Sequence, residues 1–155
     1  MSETEAGAEG AAVLNGTNVK LVRFTGLAGI IVGIAMIVVA VAAWITVSAE
    51  LRAENITISD DAPMMAGQQV SGPISAFVQA HVIDTHSRAL ADGKTFAELD
   101  RDDPLRVTVM NGSFLRASLF TSVISFGIAL LATGVGGALF ILFGLSIRSI
   151  VPKRA

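Results

Sequence analysis

The chain of 155 residues contains no cysteine. Disulfides, thiol nucleophiles, thiolate metal sites and iron–sulfur clusters are therefore excluded together. Charge is scarce as well. Asp, Glu, Lys and Arg make up 15% of the residues against 52% hydrophobic ones, with a mean hydropathy of +0.66. Soluble domains carry about 25% charged residues, so most of the apolar excess belongs in lipid. No glycine-rich phosphate loop lies near a basic residue, and Ser71 and Ser113 sit in no nucleophile elbow or triad pattern. The residues thus carry no signature of nucleotide or acyl-transfer chemistry.

The missing charges are concentrated in two places. There are 26 residues without a charge between Arg23 and Glu50, and 31 between Arg116 and Arg148. A helix crossing the hydrocarbon core, roughly 30 Å thick, needs about 20 residues. Each run is therefore long enough to span once and too short to span twice. The first is also longer than the apolar segment of a cleaved signal peptide, so it reads as an uncleaved anchor. The division expected is a disordered cytoplasmic tail over 1–22, transmembrane helices over 24–48 and 117–147, a loop domain over 49–116, and a basic tail over 148–155. Lys20 and Arg23 precede the first span, and Arg148, Lys153 and Arg154 follow the second. The positive-inside rule then places both termini in the cytoplasm and the loop outside. Neither run contains Asp, Glu, Lys, Arg or His, and buried ionisable groups are the usual mark of proton and ion pathways. A stand-alone transporter is not expected.

Small residues form a stripe along each run. Gly26, Gly29, Gly33, Met36, Ala40 and Ala43 recur at steps of three and four, as do Ser118, Ser122, Ser125, Ala129, Ala132 and Gly136. Helices in a bilayer associate through close van der Waals contact, which small residues permit. The two stripes are expected either to face each other in an antiparallel hairpin or to dock onto another protein. Gly127, Gly134, Gly137 and Gly144 make a second patch beside the later stripe.

The loop reads as a small, mostly helical cap. Ile56 to Ser59 alternates like a short strand and can pair with Gln68 to Val70 as one short β-hairpin. Ser71 is the expected cap of a helix with Pro73 in its first turn, whose one face holds Ile74, Phe77, Val78, His81, Val82 and Thr85, and which ends at Asp92–Gly93. Thr95 and Glu98 form a capping box for a second short helix. Asp103–Pro104 starts a third that runs toward the second span, with an interruption expected at Asn111–Gly112. The fold class expected is thus an all-α membrane protein, a two-helix transmembrane hairpin bearing this cap.

His81, Asp84 and His86 are the candidate metal ligands, since imidazole and carboxylate suit metals. The two histidines are five residues apart, about 140° around a regular helix of 3.6 residues per turn, so they cannot both reach one ion. His81 and Asp84, three apart, share a face. The reading expected for His81 is a hydrogen-bonded residue packed mid-face, and for Asp84 an ordinary pair with Arg88. No cofactor is called for.

Glu54 to Ser59, Gly72–Pro73, the Ala76-to-His86 helix, Lys94 to Leu99 and Ser113 to Phe120 together resemble small two-span membrane proteins of actinobacteria, often labelled aromatic ring-opening dioxygenase. The resemblance covers roughly Leu51 to Gly144 and is most specific over Ser113 to Phe120. It implies a bacterial plasma membrane with the loop outside, and the label implies a non-haem iron site of two histidines and a carboxylate. That chemistry needs three ligands on one face of a shielded pocket, and the residues offer two histidines on divergent faces of one helix. The expected function is a non-enzymatic accessory or scaffold subunit of a larger respiratory or cell-envelope complex, or a homo-oligomer, in contact with membrane lipid and not with nucleic acid. A metal- or ligand-binding sensor built on His81, Asp84 and His86 is the first alternative, and the dioxygenase the second.

Overall fold

The computed structural model describes residues 16–150, with side chains over 19–149. Among the described residues there are four α-helices: α1 (Gly16–Ala53), α2 (Pro73–Leu90), α3 (Arg106–Leu131) and α4 (Ala138–Ile150), the last two joined by a π-helical turn, Ala132–Gly137. No strand occurs among the described residues. Two helical stretches, Val19–Ala53 and Arg106–Ser149, are long and apolar enough to cross a membrane. Their 35 and 44 residues correspond to about 50 and 65 Å at 1.5 Å per residue, well beyond a bilayer core of roughly 30 Å.

The helices extend past the expected boundaries at both spans. α1 begins at Gly16, so 16–22, expected in the tail, are helical, while the rest of that tail lies outside the described residues. Once a long apolar helix exists, each added residue gains one hydrogen bond without a new nucleus. The same reasoning accounts for α3, which starts at Arg106 and runs unbroken through Asn111 and Gly112. Asp103 prepares its start, with Oδ1 accepting from the Leu105 N–H at 2.8 Å. Of the basic tail, Arg148 lies in α4 and 151–155 are outside the described residues.

The chain divides into two compact units. In the first, 16–37 of α1 runs antiparallel to 134–150, and glycines hold the backbones together. A Cβ at Gly26 would lie 2.9 Å from the Gly144 carbonyl oxygen, one at Gly33 2.7 Å from that of Gly137, and one at Gly29 3.4 Å from that of Phe140. Side chains longer than hydrogen do not fit at the first two positions without moving backbone.

The second unit, 38–133, contains the loop. Its core joins Leu51 of α1, Ile58 and Val70 of the loop, Ala76, Val78 and Ala80 of α2, and Leu119 and Phe126 of α3. A segment of roughly 60 residues alone has only a marginal core; here the extended helix ends add walls to it. Trp44 meets Phe126 edge to face at 4.6 Å between centroids. The expected β-hairpin is reduced to one antiparallel bridge, Thr57 with Gln69. The Ile58 N–H donates to Gln68 O and the Val70 N–H to Ile56 O, both at 2.9 Å.

α2 departs from expectation in two ways. Its N-terminus is capped by Ser75 instead of Ser71: the Ser75 Oγ accepts from the N–H groups of Ser71 and Gly72, and donates to Gly72 O, each at 3.0 Å. The buried face is Ser75, Ala76, Val78, Gln79, Ala80 and Val82, so of the expected face only Val78 and Val82 are buried. Ile74, Phe77, His81 and Thr85 are exposed. Ala76 and Ala80 are fully buried, and their small side chains let α2 settle closer than the larger residues of the expected face allow. The helix ends where expected, with Asp92 and Gly93 at φ 49° and 84°. Thr95 to Glu98 closes a single turn and no helix, although Glu98 does bind the Thr95 N–H and hydroxyl, both at 2.8 Å.

Candidate functional site

The three candidate ligands are on one helix but do not converge. A carbonyl only accepts, so the His81 Nδ1–H donates to Phe77 O at 3.1 Å, leaving Nε2 of the neutral ring as an acceptor. The ring is exposed and lies tilted against Phe77 and edge to face with Phe120, at centroid distances of 4.4 and 5.9 Å. Asp84 binds two cations instead. Its Oδ2 accepts from Arg88 Nε, the expected neighbour four residues on, and its Oδ1 from Arg116 Nη1, both at 3.1 Å. His86 turns to the preceding loop, where Nε2 lies 2.7 Å from Asp61 Oδ2. Among the described residues no group of three His, Asp or Glu side chains is placed to hold a metal ion. The two-histidine, one-carboxylate set is therefore not assembled from His81, Asp84 and His86.

The hydrogen bond from His86 holds the Asp61 carboxyl below its ordinary range, against a smaller opposing effect of desolvation. Glu98 is lowered in the same direction, first by the Thr95 N–H and then by the Thr95 hydroxyl. Both are surface clasps: Asp61 ties the turn before α2 to the C-terminal part of that helix, and Glu98 closes the turn after it.

The helix-packing residues divide along the chain. Gly26 and Gly33 are buried against the opposite backbone and Gly29 lies in ordinary contact with it. Ala40 is buried, whereas Ala43 is exposed and Trp44 beside it makes the ring contact. In α3, Ala129 is buried, Ser122 and Ser125 are half-buried, and Ser118 is exposed beside a buried Leu119. Hydroxyls of Ser122 and Ser125 donate to the carbonyls four residues earlier, Ser118 O and Thr121 O, which satisfies them within the helix. Ala132 and Gly136 are half-buried, and Met36 touches the Gly136 position.

Gly137 and Gly144, expected beside the stripe, are instead at the closest approach. The π turn accounts for this. From buried Ala129 to buried Gly137 is eight residues, one more than two turns of α-helix, and a turn bonded i to i+5 accommodates the extra residue. Regular 3.6-residue spacing carried through Ala132–Gly137 misses that slip. The side-chain pairs Asp61–His86 and Asp84–Arg116 were likewise missed. Their partners lie 25 and 32 residues apart, beyond any local periodicity.

Comparison with protein-family models, with curated proteins and with solved structures finds no match to this chain. The functional reading rests on its own geometry.

Proposed function

We propose that the chain is a non-enzymatic accessory or scaffold subunit of a larger bacterial plasma-membrane complex, of respiratory or cell-envelope type. It is anchored as a two-pass transmembrane hairpin, with both termini cytoplasmic and the cap outside. The observation that carries the reading is what internal packing leaves uncovered. Only 11% and 17% of the most apolar windows of the two long helices are buried. The glycines at Gly26, Gly29, Gly33, Gly137 and Gly144 are used within the chain, but Gly127 in one unit and Gly134 in the other each face open space. Lipid tails gain nothing special from a glycine, whereas a partner helix gains a close approach. The surrounding faces take lipid.

Purification of the full chain in mild detergent, after crosslinking in the native membrane, tests this. One partner protein, or a defined homo-oligomer, recovered reproducibly and diminished by Gly127→Leu or Gly134→Leu is the expected result. A monomer with no reproducible partner would contradict it.

A further inference from the structure

We infer that the cap holds a binding site for a phosphate group, carried by an anionic lipid headgroup or by a small soluble phosphate ester. The site is a pocket of about 250 Å³ between α2, the turn after it and the start of α3, lined by Asp84, Arg88, Lys94, Thr95, Ser113 and Arg116 among others. Three cations and one carboxylate line it, and the Glu98 carboxylate lies close enough to act on Arg88 and Lys94, so one formal positive charge is left over around the pocket. Asp84 holds one nitrogen of each guanidinium, which fixes both groups while leaving most of their ten N–H donors for other acceptors. Arg116 Nε is buried with no acceptor among the described residues. The hydroxyls of Thr95 and Ser113 are already donated, to Glu98 and to the Val109 carbonyl, so the cations are the groups facing a ligand.

Guanidinium pairs with their remaining donors aligned recognise phosphate through paired, charge-assisted hydrogen bonds. The size agrees: drug-like and cofactor pockets run from about 300 to 1,000 Å³, so this one suits a headgroup and not a nucleotide cofactor. Arg116 is also the last charge before the 31-residue uncharged run, which brings the pocket to the level where phospholipid headgroups lie if α3 continues into a bilayer. The inference is independent of the docking proposal, because all of its residues belong to the cap and none to the exposed glycine faces.

The test uses the full chain in phosphatidylcholine nanodiscs. Calorimetric titration with glycerol 3-phosphate reads the soluble source. Native mass spectrometry of lipids retained from phosphatidylglycerol–phosphatidylcholine mixtures reads the lipid source. Lys94 is exposed on a turn, so Lys94→Gln changes charge without threatening the fold, and Arg101→Gln is the control outside the pocket. The expected result is saturable binding in at least one arm, weakened about tenfold by Lys94→Gln, as loss of one charge-assisted contact implies, and unchanged by Arg101→Gln. Binding of the soluble ester alone assigns a free solute, and retention of phosphatidylglycerol alone assigns the lipid. No saturable binding in either arm, or equal effects of the two substitutions, overturns the inference.

Discussion

At the scale of single residues, the cap is held by side chains that reach across the chain. Asp61 and Glu98 both have carboxyls lowered by hydrogen bonds made only in the folded state. A group whose folded pKa is depressed contributes stability at neutral pH and loses it as pH falls through the carboxylate range. The cap is therefore expected to loosen in acid, seen as lower amide protection relative to the intrinsic exchange rate at each pH over residues 56–70 and 91–99 below about pH 4, near the ordinary carboxylate value. Asp61→Asn should flatten that pH dependence over the first segment, and Glu98→Gln over the second; an unchanged profile in both variants would show the clasps to be irrelevant. Ser75 is the other decisive residue, since its hydroxyl satisfies two N–H groups at the start of α2. Ser75→Ala is expected to cost about 1 kcal/mol, by analogy with lost N-caps, while Ser71→Ala should cost far less. Chemical denaturation of the detergent-solubilised protein distinguishes the two.

At the scale of elements, glycine spacing sets how closely 16–37 and 134–150 approach. Gly33→Ala places a methyl group against the Gly137 carbonyl and Ile141, and overpacking of this kind costs about 1–3 kcal/mol. The expected readout is a lower thermal midpoint. Gly127→Ala meets no atom within 4 Å and should leave the midpoint equal or higher, because alanine is the better helix former by about 1 kcal/mol. Equal losses at both positions would refute the contact geometry. Part of this was legible in the sequence: the two apolar runs form helices long enough to cross a membrane, and α2 ends before Asp92–Gly93. The later helix was not, because one π turn over Ala132–Gly137 brings Gly137 and Gly144 to the close approach in place of Gly136 without altering composition. The buried face of α2 was also hidden, since choosing it depends on Ala76 and Ala80 fitting against α3, and size complementarity is a property of two elements.

At the scale of the whole molecule, the absence of cysteine becomes an experimental advantage. Single cysteines report position without background. Ala66→Cys in the loop is expected to react with a membrane-impermeant maleimide on intact cells, whereas Ala155→Cys is expected to react only after the cells are opened. The reverse pattern, or equal labelling, would overturn the orientation given by the basic flanks. The same variants, unlabelled in the membrane fraction and recovered after crosslinking, serve the partner search.

The sequence alone determined that this is a helical chain with two segments suited to a bilayer and a polar segment between them, because hydrophobic length and charge are local quantities that need no partner to be read. It also placed Asp84 with Arg88 and ended α2 at Asp92–Gly93, for the same reason. Only the tertiary structure decided that His86 pairs with Asp61, that Arg116 shares Asp84, and that Arg88, Lys94 and Arg116 surround one pocket. Those pairings join residues far apart in the chain, and their energies exist only once the core around Ile58, Val70 and Leu119 has brought the elements together.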